Sequence, residues 1–496
     1  MTAVATVTLT PSDAESEGSD GPLMALAALL LLPLAVSMRA GVRLLRCSAS
    51  SRGPASRAHV GLPKGVEWGR QYHRPASGAA SGLPPQDKPF TVLGIETSCD
   101  DTGVAVVRSD GTILGEALAS QAALHEEFGG VMPGVARDAH AEALDRVTAE
   151  ALKRAGLASV ADVDAVAVTV GPGLEICLRV GCESAKALAL EHAKPFVAVH
   201  HLEAHVLMAR LAAAEPVDFP FLTLLVSGGH CMLLLSRAVG EHYVIGSTLD
   251  DALGEAYDKV ARLLDLPVGG GGGPALEALA RDGSAGAVAL PVPMSRKKNC
   301  DFSFAGLKTA VRRAIEKTDD ARRAEPSFNA DVAASFQDVA ISHLEQRLRY
   351  AFELCEKAGD EWGCRPSTLV VSGGVAANAE LRRRLQALCD ATPAGAADGG
   401  GDDGGSWRLV VPPPRLCTDN GVMVAWAAVE SLRLGRSHAA EGRDVRARWP
   451  LGPSIAQLTG EVEVPPKGYH ARTAKVMRAI ANTKPGKAEV DADQPA

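Results

Sequence analysis

FLTLLVSGGHCMLLLS, residues 221–236, sets one apolar run against another across a Ser-Gly-Gly-His turn. Runs of that length around a Gly-Gly turn read as a hairpin-like pair of strands. An earlier segment has the same build: TVLGIETS (91–98) and GVAVVRSDGTIL (103–114) read as strands joined by a turn. Each unit is followed by alternating helix and strand text. In the first half, HAEALDRVTAEALKRAG (140–156) has helical apolar spacing, and VDAVAVTVGPG (163–173) is a buried strand closed by a Gly-Pro-Gly loop. LRVGCESAKALALEH (178–192) and PFVAVH (195–200) continue as helix and strand. In the second half helical text fills 303–359, and STLVVSGGVAANAELRRRLQAL (367–388) is strand, Gly-Gly turn and helix. WRLVVPPP (407–414) is a strand, and NGVMVAWAAVESLRLG (420–435) a final helix. Two halves built alike predict an α/β chain of two lobes with a cleft between them. One lobe spans 90–220 with 417–451, and the other spans 221–416.

Composition narrows the function classes. At 496 residues the chain has room for about three folding units or one two-lobed enzyme. Apolar residues at 46% and charged residues at 22% describe a packed protein. A net charge of −8 excludes a protein that coats nucleic acid nonspecifically. The 10 cysteines never form Cys-x-x-Cys, which argues against a Cys-rich zinc module and a secreted disulfide framework.

Residues 1–86 read as a targeting leader rather than fold. Residues 21–38 form an uncharged apolar run, short for a membrane span and carrying Pro33. From Met38 to Gln86 the text is Arg-rich, Ser-rich and nearly free of acids, as organellar transit peptides are. Mitochondrial targeting is expected, with the chloroplast as the alternative; membrane anchoring by 21–38 is the less favoured reading. Without the leader's 8 basic and 5 acidic residues, 43 Lys+Arg face 54 Asp+Glu, a body near −11. Gly269–Gly273 and the stretch 391–406 read as flexible loops, and 452–496 as a loosely structured tail.

Three Gly-rich turns follow apolar strands: the Thr97–Thr102 loop before Gly103, Ser227-Gly228-Gly229-His230, and Ser372-Gly373-Gly374 leading to Asn378. Glycine lets main-chain N–H groups approach a phosphate, so three such turns point to nucleotide binding. None has P-loop or dinucleotide-fold spacing. HHLEAH (200–205) places His201 and His205 one helical turn apart, roughly 6 Å at Cβ, a spacing that chelates one divalent metal. Glu203 lies about 200° around the helix from His201, so it cannot poise water as the glutamate of a zinc protease does. A third ligand must come from afar. Asp419, just ahead of the final helix, offers a carboxylate, although its position alone reads as a helix N-cap.

Together these segments resemble the tRNA N6-adenosine threonylcarbamoyltransferases, once called glycoproteases. The matching text includes LGIETSCDDTGVAVV (93–107), GPGLEICLRVG (171–181), LLVSGGH (224–230), LDDALGEAYDKVARLL (249–264), DFSFAGLKTAV (301–311), DVAASFQ (331–337), VSGGVAANAELR (371–382), CTDNGVMVA (417–425) and RARWPL (446–451). The resemblance runs over about residues 91–451, and the leader makes it look like the organellar branch. It implies an actin/hexokinase/Hsp70-ATPase-like (ASKHA) fold. The implied reaction moves the threonylcarbamoyl group from threonylcarbamoyl-AMP, supplied by a separate synthase, to N6 of adenosine 37 in tRNAs reading codons that begin with A. The expected product is t6A and the expected assembly a homodimer. His201, His205 and Asp419 match the family's ligands for one divalent metal ion per subunit, zinc or iron. Leu225, Val226, Ser227, Gly228, Gly229, Asp258 and Asn378 match its substrate contacts. Gly273, anchored on Pro274, matches a further contact, with Gly271 as the alternative, because this chain has five glycines where the family has a short Gly-Gly-Pro turn. Met132-Pro133-Gly134 also departs from the family's Val-Pro-Glu, and Ala305 replaces a serine. A small-molecule kinase or ATPase of the same superfamily and a metallo-endopeptidase are the alternatives. For tRNA, one of the clusters Arg296-Lys297-Lys298, Arg312-Arg313 and Arg382-Arg383-Arg384 is expected to line the path of the phosphates, although each alone reads as a solvated face.

Overall fold

The computed structural model describes residues 83–84, 86–268, 271–394 and 405–455. The expected leader with its apolar run, most of the 391–406 loop and the tail beyond 455 lie outside the described residues. In chain order the first half contains β1 (Thr91–Glu96), β2 (Asp101–Arg108), β3 (Ile113–Ser120), α1 (Ala122–Glu126), α2 (Pro133–Arg154), β4 (Ala165–Gly171), α3 (Glu175–Glu191), β5 (Phe196–His200) and α4 (His201–Ala212). The second contains β6 (Phe221–Val226), β7 (Cys231–Ala238), β8 (Glu241–Ser247), α5 (Leu253–Leu263), α6 (Gly273–Ala280), α7 (Ala305–Lys317), α8 (Asp320–Arg323), α9 (Phe328–Trp362), β9 (Thr368–Ser372), α10 (Ala379–Asp390) and β10 (Arg408–Val410). The last helix is α11 (Gly421–Arg433).

The two five-stranded sheets have one topology. Their orders are β3-β2-β1-β4-β5 and β8-β7-β6-β9-β10. In each, three antiparallel strands meet two parallel ones. Parallel strands covered on both faces need continuous apolar text. β4 is accordingly buried at every residue. The stretch read as one strand over 103–114 instead bends at Gly111, whose φ of 95° suits glycine, and starts β3. The helix read from 140 begins at Pro133, because proline fits the first turn, where its missing N–H costs nothing.

Helix α4 lies between the sheets. Ala204, Leu207 and Met208 join the core of the first half, while Val206 and Ala209 pack with Phe221, Leu234 and Val370 of the second sheet. Helix α11 lies across β1 and β2 through glycines on both sides. A Cβ on Gly94 would meet Ala425 N at 2.3 Å, and one on Gly421 would meet Ala105 N at 2.4 Å. These contacts fix the start of α11, two residues after Asp419.

His343 on α9 shows what this packing does to a titrating group. Its ring meets Phe302 and Phe304 edge-on, at centroid distances of 6.0 and 5.3 Å, and its Nε2 accepts from Ser303 N–H at 3.3 Å. Burial first, and the Arg347 charge second, push it down to about 4. The unfolded chain, titrating near 6.5, then binds the extra proton. Stability from this group is therefore complete above that pH and is lost as pH falls towards 4, by up to about 1.4 kcal/mol per unit. Urea melts of His343→Leu between neutral pH and pH 5 should show a flatter dependence than the parent. An equal slope would contradict this assignment.

Candidate metal and nucleotide site

β5 runs straight into α4, and the ring of His200 caps the helix by accepting from Leu202 N–H at 3.1 Å. His201 and His205 therefore project from the buried N-terminal turns of α4. Asp419 arrives from the loop before α11. Asn420, not Asp419, caps that helix, accepting from Met423 N–H at 2.9 Å. The cap expected of Asp419 is thus supplied by its neighbour, and its carboxylate is free to face the histidines. Asp419 Oδ1 stands 3.0 Å from His205 Nε2 and 3.7 Å from His201 Nε2. The ligand atoms of the three residues lie within 4.8 Å of one another, close enough to hold one metal ion.

Behind them is a second layer. His201 Nδ1 lies 3.2 Å from Ser98 Oγ and 3.4 Å from Glu96 Oε2. A carboxylate at the far nitrogen fixes the imidazole's tautomer and leaves Nε2 for a metal. Glu96 is itself held by Ser98 N–H at 2.7 Å and the Thr169 hydroxyl at 2.5 Å. Burial alone would raise the Glu96 carboxyl, but the charge and hydrogen bond of His201 outweigh it and lower it. Burial likewise opposes ionisation of Asp419, and His201 and His205 hold it well below the usual carboxylate range. His201 is pushed up to about 9, burial being overcome by Asp419 and Glu96. His205 Nδ1 is buried without a hydrogen-bond partner in the described residues. Donor set, backing carboxylate and spacing all fit a divalent metal.

Glu203 is committed elsewhere, as its helical phase predicts. Its carboxylate accepts from Gly240 N–H at 2.5 Å and lies 3.0 Å from His242 Nε2.

The expected substrate residues gather in the second half. Ser227 N–H donates to the His230 carbonyl at 2.8 Å, and His230 N–H returns to Ser227 Oγ at 3.0 Å. This turn leaves Gly228 and Gly229 exposed, with open space above each Cα. Leu225 and Val226 are fully buried in β6, so they can offer a ligand only main chain. Gly254 N–H donates to the Ser227 carbonyl at 3.1 Å, joining α5 to the turn. Farther along α5, Asp258 Oδ1 accepts from Gly272 N–H at 2.6 Å, tying down the glycine loop. Burial raises the Asp258 carboxyl above its usual range. Gly273 opens α6 with free space where a side chain would stand. Asn378 is largely committed: its Oδ1 caps α10 through Leu381 N–H, and its Nδ2 donates to Gln337. The third Gly-Gly turn adjoins the metal set. Ser372 Oγ donates to the His205 carbonyl at 2.7 Å, and a Cβ on Gly374 would reach 3.9 Å from Thr418.

Three site residues were not singled out from the sequence. Glu96 and Ser98 sit within the quoted LGIETSCDD segment, where a glutamate ending an apolar strand is the available signal. His230 is pushed down to about 4 by burial and by the charges of His201 and His205. Nothing in SGGH distinguishes it from a turn residue.

Two five-stranded mixed sheets of one topology, with helix α4 between them, define an α/β protein built of two like halves. A family model described as tRNA N6-adenosine threonylcarbamoyltransferase matches residues 112–426. The Arabidopsis thaliana protein named "Probable tRNA N6-adenosine threonylcarbamoyltransferase, mitochondrial" is 45% identical over 427 residues, covering 81% of this chain and 83% of its own. A Xenopus tropicalis protein with the same name, without "probable", is 41% identical, covering 76% and 91%. A tRNA N6-adenosine threonylcarbamoyltransferase of Erythrobacter litoralis is 46% identical, covering 74% and 98%. The chain belongs to the tRNA N6-adenosine threonylcarbamoyltransferase family.

Proposed function

We propose that this transferase moves a threonylcarbamoyl group from threonylcarbamoyl-AMP to N6 of adenosine 37 in tRNAs that read A-starting codons. The observation that carries the reading is the convergence of His201, His205 and Asp419 beside two Gly-Gly turns, in a member of this family. One divalent zinc or iron ion per subunit, held by those three residues, would act as Lewis acid toward the donor's carbonyl or phosphate oxygens. Glu96 and Ser98 hold the His201 ring in register for it. The exposed Gly228 and Gly229 offer main-chain donors to the adenylate phosphate, and Asp258 and the remaining N–H of Asn378 suit ribose hydroxyls. The N6–carbon bond forms as the bond from carbonyl carbon to phosphate oxygen breaks. AMP leaves with the electron pair, and the N6 proton passes to solvent. The adenine amine is a weak nucleophile, so positioning and leaving-group stabilisation supply most of the rate.

The named mitochondrial relatives and the Arg-rich leader support an organellar site of action, the mitochondrion before the chloroplast. A separate synthase delivers the donor, and the chain works as a homodimer. Division into lobes at 90–220 with 417–451 and at 221–416 follows the two sheets. No observation favours a kinase, and the commitment of Glu203 to His242 removes the base that a peptidase needs.

The test is nucleoside mass spectrometry of a tRNA transcript incubated with the protein, metal and freshly made threonylcarbamoyl-AMP. A threonylcarbamoyl-adenosine peak is expected, with no requirement for ATP. Folded, metal-loaded protein that gives no peak would refute the transferase reading.

A further inference from the structure

Arg347, on α9, is fully buried and hydrogen-bonds neutral oxygens. Its Nη1 donates to the carbonyls of Lys297 and Asn299 at 2.8 and 2.9 Å, and to Asn299 Oδ1 at 3.2 Å. Its Nη2 donates to the Met294 carbonyl at 3.1 Å and to Gln346 Oε1 at 2.6 Å. The guanidinium also stacks over the Tyr350 ring, 5.2 Å from its centroid. Withdrawing a charge from water is costly, and these charge-assisted bonds offset that cost. They fix one conformation of segment 294–299. Met294 there holds a φ of 50°, a left-handed conformation that a non-glycine residue adopts only when its surroundings hold it there. What this arrangement presents to solvent is Arg296, Lys297 and Lys298, all exposed.

The loop leaves the second sheet at the end that carries the Gly-Gly turn. Val226 pairs with Cys231 across that turn, Thr248 N–H donates to the Cys231 carbonyl, and Leu249 N–H to the Phe302 carbonyl. Phe302 therefore runs beside the site end of β7 and β8, with the basic loop just ahead of it. On the approach to that loop, Pro291 and the face of α7 line an open groove of about 620 Å³, walled by Gly306 and Ala310 and flanked by Arg313 and Lys317. The third basic cluster is largely committed to partners of its own, Arg384 and Arg382 inside the fold and Arg383 on the helix surface. Arg384 pairs with Asp338 and Glu345, Arg383 with Glu380, and Arg382 donates to the carbonyls of Ala376 and Pro412.

Building on the tRNA reading above, we infer that the loop at 294–299 and the adjoining α7 groove form the landing surface for the tRNA sugar-phosphate backbone, with Arg347 as its positioning residue. On a body of net negative charge, affinity for a polyanion depends on a few cations held together, and a guanidinium buried beneath them supplies the fixed spacing. Arg347 touches neither substrate nor metal; it acts through the loop.

The test is binding of a labelled tRNA transcript to the full chain over a salt series, with AMP binding measured alongside. R296Q/K297Q/K298Q should weaken tRNA at least tenfold and reduce the slope of log affinity against log salt by about two to three, since each lost phosphate contact removes somewhat under one. The charge-matched variant K153Q/R323Q/K357Q, changed at exposed positions elsewhere, should keep the parent slope. R347M keeps all three loop charges yet should weaken tRNA several-fold while AMP binding stays unchanged. Should R347M not fold, the loop variant, altered only at exposed side chains, decides alone. Equal slopes for the two triple variants would overturn the loop assignment while leaving the transferase reading intact. A parent protein that binds AMP but no tRNA would overturn both.

Discussion

Asp419→Ala should lose its metal and its product together. Two histidines one helical turn apart remain after the change, but the anion that faces both, at 3.0 and 3.7 Å, is gone. Removing even an outer partner of a metal ligand costs about 10–100-fold in affinity or activity, so removing a direct ligand should cost more. The fold should survive, because Asn420 rather than Asp419 caps α11. Elemental analysis after dialysis, a melting curve and the nucleoside assay together read the outcome. The parent should melt higher with added zinc or iron, because a ligand that binds only the folded state stabilises it, and the variant should not. Retention of full metal content and full threonylcarbamoyl-adenosine formation by the variant would remove Asp419 from the site.

Gly421→Ala should do similar damage without touching a ligand. Its new methyl would stand 2.4 Å from Ala105 N and from the Val104 carbonyl carbon, inside contacts that no side chain tolerates. Those atoms are backbone of β2 and cannot turn aside, so α11 must shift or tilt. Overpacking of this kind costs about 1–3 kcal/mol, a fall of several degrees in melting temperature for a domain of this size. Asp419 moves with the helix, so metal affinity should fall as well. Gly228→Ala is the matched control, since its methyl would enter open space and leave the melting temperature unchanged. A Gly421→Ala protein as stable and metal-rich as the parent would mean that the helix is not what places Asp419.

The two halves were legible because each repeats a strand, a Gly-rich turn and a strand, and apolar periodicity survives in a single sequence. The metal set was legible in part. His201 and His205 share one helix, so their spacing can be counted, whereas Asp419 is far along the chain and looks locally like a cap. Only its neighbour's cap, seen in three dimensions, shows that the carboxylate is free. Glu96, Ser98 and His230 escaped notice because their roles depend on which strand end faces which helix. The three basic clusters looked equivalent as text. Their difference arises from tertiary partners, with Arg384 consumed by Asp338 and Glu345, and the Lys297 loop raised on Arg347.

Helix α4, wedged between the sheets, also limits how the molecule can open. Its two flanks belong to different cores, so parting the halves would strip water-avoiding contacts from Val206 and Ala209 or drag the helix away from Ala204 and Leu207. Either choice would be felt at His201 and His205, whose rings ride on the same rod. The protein is thus better suited to breathing at its rim, among the glycine turns, than to swinging on a central pivot. Traffic of donor and product would pass through those turns while the metal anchorage stays still.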